Sequence, residues 1–168
     1  MHPRTHGTEL RIDTPAGPVT LRARDAREAA LLRTRVHAWL AGADDAFLDV
    51  PLPDGTDFQR RCWAACRRIP RGETRTYAWL AAEAGSPGAA RAAGQAMRRN
   101  PLPIVVPCHR VVGAGGWPGG YSGSADPAGP RLALKRFLLQ SDRIRADVPF
   151  PARPIQAGSH TEPENQSS

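Results

Sequence analysis

Apolar and polar positions alternate over Leu10, Arg11 and Ile12, and again over Val19, Thr20 and Leu21, on either side of Thr14, Pro15, Ala16, Gly17 and Pro18. A period of two around a turn-rich stretch predicts a short β-hairpin. The period then lengthens: Leu32, Val36, Trp39 and Leu40 share one helical face, Asp25 and Glu28 stand before them at capping-box spacing, and Gly42 follows as a stop. Residues 43–56 carry Asp44, Asp45, Asp49 and Asp54 with Pro51 and Pro53, which reads as a linker and a boundary.

A second amphipathic helix starts at Asp57. Phe58, Cys62, Ala65, Cys66 and Ile69 lie on its apolar face, Arg60, Arg61, Arg67 and Arg68 lie mostly off it, and Pro70 ends it. Thr76 then precedes a short helix over Tyr77 to Ala84. Gly85, Ser86 and Pro87 supply a stop, an N-cap and a first-turn proline for another helix reaching about Arg98. Helix, tight turn, helix is the predicted unit. Ile104 to Val112 reads as a buried strand interrupted by Pro107, Cys108, His109 and Arg110, and Gly129 and Pro130 open a last helix carrying Leu134, Phe137 and Leu138.

Composition narrows the class. The chain has 168 residues, 40% hydrophobic and 23% charged, enough for one folded domain with a small appendage. Its longest aliphatic run, Ile104 to Val106, is far short of the roughly 20 apolar residues a membrane helix needs. His2, Pro3, Arg4, Thr5 and His6 lack the apolar stretch of a secretory signal, so a cytoplasmic setting is expected, in which the three cysteines stay thiols.

The net charge is +7, and Lys135 is the only lysine among 23 Lys and Arg residues. An arginine excess suits a phosphate-rich partner, although a GC-rich genome produces the same bias, so position has to decide. The helix around Arg91 is nearly free of bulk, with Arg98 and Arg99 at its far end. Small side chains permit close approach to a narrow groove or tight packing in a core, and the arginines weigh against full burial.

Three features could carry chemistry. Cys62 and Cys66 stand four apart, but both fall on the apolar stripe with no second ligand pair, and read as core cysteines. The run from Gly113 to Gly123 does not lead from a strand into a helix, so it reads as a flexible wall rather than a phosphate-cradling loop. Cys108 and His109 pair a nucleophile with a base. On an extended strand they would point to opposite faces, so direct contact requires a bend, for which Pro107 is the candidate.

Tyr77, the run Ala89, Ala90, Arg91, Ala92, Ala93, Gly94, then Arg99, Asn100, Pro101, then Pro107, Cys108, His109, Arg110, and finally Gly120, Tyr121, Ser122, Gly123 occur in a specific order and spacing. In these motifs the chain resembles the O6-alkylguanine-DNA alkyltransferases over about residues 56–143. The resemblance implies an α/β (α+β) protein. Residues 1–55 would form a shortened hairpin-plus-helix region and linker. Residues 56–147 would form a mainly helical domain with a helix-turn-helix and a short strand carrying the active cysteine; the proline-rich, polar composition of 148–168 reads separately as a disordered tail.

It implies the following roles. Cys108 accepts the alkyl group from O6 of guanine, His109 acts as base through water, and Asn100 supports the turn between DNA-reading and active-site segments. Tyr77 crowds the lesion's phosphate and donates a proton toward the leaving base. Arg91 fills the gap left by the extruded nucleotide, with Ala89, Ala90, Gly94, Arg98 and Arg99 on the DNA. Pro103, Met97, Val111, Tyr121, Ser122 and Gly123 line the pocket. No cofactor, no metal and no membrane is implied; the partner is double-stranded DNA containing O6-alkylguanine, bound by a monomer. At Asp142 the family usually has glutamate, so the carboxylate that would complete the Cys108 and His109 chain is one methylene short here. Rival classes are a non-catalytic alkylguanine-binding relative, which has tryptophan at the acceptor position, a helix-turn-helix regulator, and a cysteine hydrolase; self-alkylation separates all three from an alkyltransferase.

Overall fold

Two seven-residue strands open the chain in the computed structural model, which describes residues 7–117 and 129–145. β1 (Thr8–Thr14) and β2 (Gly17–Ala23) pair antiparallel, with Leu10 opposite Leu21 and Ile12 opposite Val19. The alternation puts those four side chains on one buried face. Gly17 takes φ 116° in the turn, a conformation that side chains disfavour.

Helix α1 (Ala26–Ala41) begins as its capping signal predicts, with the Asp25 carboxylate accepting from Glu28 N at 2.8 Å. The reciprocal half differs. Glu28 accepts from Arg24 N at 2.7 Å and Arg24 Nε at 2.9 Å, because an arginine before the cap offers the carboxylate a second, charged donor. Gly42 ends the helix at φ 120°, its N–H on Trp39 O.

The segment expected as a linker has a fixed course. Arg35 grips Asp45 and Asp49 through four hydrogen bonds of 2.8–2.9 Å and lies 5.0 Å over the Phe47 ring, while Arg67 holds the Val50 carbonyl. Phe47 and Val50 are buried.

Helix α2 (Asp57–Arg67) starts from a Thr56 and Gln59 capping box that the periodicity reading passed over. β3 (Arg75–Thr76) leads into α3 (Tyr77–Glu83), whose N-cap is Thr76, accepting from Trp79 N at 3.0 Å. Gly85 stops α3 at φ 83°, with its own N–H on Ala82 O and that of Ser86 on Ala81 O.

Helix α4 (Ala90–Arg98) starts later than Ser86 and Pro87 suggest. Gly88 turns left-handed at φ 84°, so Ser86 closes a turn by accepting Ala89 N instead of capping a helix.

The strand expected over 104–112 is also shorter. Cys108–Arg110 form a 3₁₀ turn, and apart from an isolated bridge between Val106 and Pro103 only β4 (Val111–Val112) pairs, parallel to β3. Helix α5 (Pro130–Arg145) closes the described chain. One core runs through the hairpin face, Leu32, Val36 and Trp39 of α1, the inner faces of α2 to α4, and Leu134 and Leu138 of α5. It therefore joins both sides of the expected boundary near residue 56. No helix among the described residues is long and apolar enough to cross a membrane. The expected tail 148–168 lies outside the described residues.

Candidate active site and nucleic-acid face

Pro107 bends the chain as anticipated. Its φ −78° and ψ 64° make an inverse γ-turn, closed by Cys108 N donating to Val106 O at 2.7 Å. The turn tips Cys108 and His109 out of strand geometry into the 3₁₀ turn that follows. Asn100 fixes the approach: its Nδ2 donates to Val106 O and its Oδ1 accepts from Leu102 N, each at 2.9 Å. Between these anchors Ile104 is held at φ 73°, a costly conformation for a β-branched residue and one kept only where surrounding bonds dictate it.

Cys108 is 7% exposed at the start of the turn, and His109 behind it is fully buried. His109 Nε2 lies 2.8 Å from Asp142 Oδ2, so the shorter carboxylate does reach the imidazole. With the carboxylate as acceptor, Nε2 carries the proton, and Nδ1 is the open acceptor of the neutral ring. Burial holds His109 below its ordinary pKa, with Arg110 and Lys135 adding to the effect and Asp142 opposing it. For Asp142, burial acts to raise the pKa, but His109 and the Arg110 fork outweigh it and hold the carboxyl below the usual range.

Two contributors had no role from the sequence. Arg110 donates from Nε and Nη2 to both Asp142 oxygens, at 2.7 and 2.9 Å, and from Nη1 to Ile69 O at 2.9 Å. An arginine inside the apolar stretch from Val105 to Val112 has to be buried and therefore paired, which was the available signal. Lys135, the only lysine, sits on the apolar face of α5 one turn from Leu138. It is fully buried, donates to Val111 O at 2.7 Å, and lies 5.8 Å from the Tyr77 ring centroid. Burial pulls its pKa down to about 8. Tyr77 heads α3 and is partly buried; burial pushes its phenol up to about 12, so it stays a proton donor at neutral pH.

The α4 helix presents one exposed face of Arg91, Ala92, Gln95, Arg98 and, just beyond its end, Arg99, opposite buried Ala93, Ala96 and Met97. Arg91, Arg98 and Arg99 have no ion-pair partner among the described residues. Ala89, Ala90 and Gly94 are half-buried at the helix edge, and a Cβ on Gly94 would meet Tyr77 Cδ1 at an ordinary 3.8 Å. Trp63 Nε1 donates to Ala96 O at 3.0 Å and ties α4 to α2. Of the expected pocket residues, Pro103 is half-buried and Val111 and Met97 are buried; Tyr121, Ser122 and Gly123 lie outside the described residues. No group of three or more His, Cys, Asp or Glu side chains among the described residues is arranged to hold a metal. Cys62 and Cys66 face the core.

Residues 57–144 match the family model described as 6-O-methylguanine DNA methyltransferase, DNA binding domain. The constitutive methylated-DNA–protein-cysteine methyltransferase of Bacillus subtilis (strain 168) is 46% identical over 113 residues, 67% of this chain and 64% of that protein. Its counterpart from Mycobacterium tuberculosis (strain ATCC 25618 / H37Rv) is 47% identical over 113 residues, again covering 67% and 64%. The match thus spans a little under two thirds of these relatives. Among solved structures, Mycobacterium tuberculosis O6-methylguanine methyltransferase superposes with a TM-score of 0.63 at 35% identity, covering 86% of this chain and 95% of that one. Mycobacterium tuberculosis OGT in complex with DNA gives 0.62 at 34% identity, covering 84% and 94%.

Proposed function

The chain belongs to the 6-O-methylguanine DNA methyltransferase family, and from that membership we propose that it repairs double-stranded DNA by moving the alkyl group from O6 of guanine to its own Cys108, once per molecule. The observation that carries this reading is the Cys108 turn with His109 bonded to Asp142 at 2.8 Å. A buried imidazole kept neutral and oriented by a carboxylate can take the thiol proton, here through a bridging water at Nδ1. The sulfur then attacks the alkyl carbon. The S–C bond forms as the C–O6 bond breaks, the electron pair stays on the guanine, and a proton from the Tyr77 hydroxyl neutralises it. The thioether has no facile hydrolytic exit, so the protein is consumed.

The alkyl carbon cannot be reached in line while the base is stacked, so the nucleotide has to be flipped, at a cost of a few kcal/mol. In this reading α4 enters the minor groove, its exposed arginines bind phosphate, and Arg91 fills the vacated stack. Pro103, Met97 and Val111 form the described part of the base pocket, with Tyr121, Ser122 and Gly123 assigned to the rest by resemblance. Residues 57–144 are the DNA-reading and alkyl-transfer unit, and the hairpin and α1 are its smaller partner. The same proposal includes monomeric action in a cytoplasm, where the Cys62, Cys66 and Cys108 thiols stay reduced.

Intact-mass measurement after mixing with an O6-methylguanine duplex tests it. One methyl group per protein, lost in Cys108→Ala, is expected; turnover beyond one, or an undiminished yield from that variant, refutes it. A protein that binds the duplex and stays unmodified would belong with the non-catalytic binders.

A further inference from the structure

Asp142 has a second arginine. Arg71, in the turn after α2, places Nε 3.5 Å from Asp142 Oδ1, while its terminal nitrogens donate to Ala43 O at 2.9 Å and Trp39 O at 3.5 Å, at the end of α1. Its guanidinium lies 4.6 Å over the Trp39 ring. Trp39 in turn meets the His109 ring edge-on, with centroids 6.0 Å apart and planes at 67°. His109, Asp142, Arg71 and Trp39 therefore form a closed ring of contacts that passes from the active-site turn into the amino-terminal helix.

The ring matters because the carboxylate is short. A side chain with one methylene fewer than glutamate has less freedom to find the imidazole, so its orientation depends on what holds the oxygen that His109 does not use. Oδ1 is that oxygen: Arg110 Nη2 donates to it at 2.9 Å, and Arg71 Nε stands 3.5 Å from it as an ion pair. Arg110 is anchored in turn by Ile69 O, and Arg71 by Trp39 O of α1 and by Ala43 O just past its end. The charged groups facing the pair are Arg110 from the 3₁₀ turn, Arg71 from the turn after α2, and Lys135 from α5, so one carboxylate serves a surplus of cations. Such a surplus disfavours the imidazolium and keeps His109 able to accept a proton.

We propose that Arg71 and Trp39 are positioning residues for alkyl transfer, Arg71 through its ion pair with Asp142 Oδ1 and the positive charge it adds beside the Asp142 and His109 pair, and Trp39 by fixing the imidazole plane. This rests on the reading of Cys108 as alkyl acceptor. It gives the hairpin-and-helix region a part in the chemistry, since α1 carries Trp39, and Trp39 O together with Ala43 O just past the helix seats Arg71.

The full chain is reacted with free O6-benzylguanine, which needs no DNA, and alkylation of Cys108 is followed by intact mass across about pH 5 to 9, with thermal unfolding in parallel. Arg71→Met is expected to react roughly tenfold more slowly at neutral pH, in the range for residues that orient a reacting group. Its acid limb should move up by about half a unit, because removing a cation favours the imidazolium. Arg71→Lys keeps the charge and should leave the acid limb where it is. Trp39→Phe should slow transfer severalfold with the limb unmoved. If Arg71→Met does not fold, Arg71→Gln, which keeps an amide donor for the Trp39 and Ala43 carbonyls, carries the same expectation. A wild-type rate in the neutral variant that folds, or a slower rate with an unmoved acid limb, overturns the inference. If the wild-type chain is itself never alkylated at Cys108, the proposed function fails instead.

Discussion

The arginines of α4 and those behind Cys108 share a side chain and differ in everything around it. Arg91, Arg98 and Arg99 stand exposed, with no carboxylate among the described residues to hold them. Arg110 and Arg71 are little exposed and converge on Asp142 at 2.7–3.5 Å. An unpaired guanidinium in water keeps its donors available for phosphate, whereas one locked to a buried carboxylate becomes part of the geometry of its neighbours. The comparison separates arginines that meet a partner from arginines that shape a site, and each class should fail differently when removed.

The sharpest break is Arg110→Met. It strips a buried carboxylate of its bidentate partner and should cost about 3–5 kcal/mol in chemical denaturation. Asp142→Asn should slow transfer to free O6-benzylguanine tenfold or more while leaving DNA affinity near wild type; an unchanged rate would reduce Asp142 to a structural charge. Asp142→Glu should also be slower, since the aspartate already fits His109 at 2.8 Å and Arg110 at 2.7 Å, and a longer chain has to displace one of them.

Arg91→Ala should reverse that pattern. Repair of duplex DNA should drop severalfold or more and reaction with the free base should stay unchanged, because only the duplex needs its flipped state stabilised; equal losses would argue against the gap-filling role.

The pH dependence of folding belongs to the buried set. His109 is held below its ordinary pKa of about 6.5, so below that pH the unfolded chain binds a proton that the folded chain refuses. Stability should fall as pH drops through 6.5, and again below about 4 as Asp142, held low in the fold, is protonated in the unfolded chain. The smallest effect is expected from Arg98→Ala, which should change stability by less than about 0.5 kcal/mol. It should lower the slope of log affinity against log salt by about 1.

What the sequence disclosed was local. Asp25, Thr76, Gly42 and Gly85 mark helix ends because a cap or a left-handed glycine acts within a few residues, and Pro107 bends its own turn. Gly88 is less legible beside Ser86 and Pro87, since all three are turn formers and only the final path shows which prevails. The strand shrank because the γ-turn at Pro107 and the 3₁₀ turn after it consume the residues that alternation alone would extend. Least legible were contacts across long separations. Asp142 meets His109 and Arg110 over more than thirty residues, and Trp39 reads only as a core aromatic until His109 is beside it. The motif resemblance supplied Cys108, His109 and Asp142 together, which spacing alone could not.

The bond from Trp63 to Ala96 makes the two ends of α4 unequal. Ala96 O is one of the last carbonyls of that helix, which have no partner within the helix itself, and the buried indole satisfies it. At the other end the N-cap is Ala89, which has no side chain to accept from the first amides. Amide hydrogen exchange in the free protein should therefore be graded along the helix, slow near Met97 and fast near Arg91. The end that frays is the one facing the proposed phosphate track, where its open N–H groups can be satisfied by DNA, so binding would complete the helix from that side.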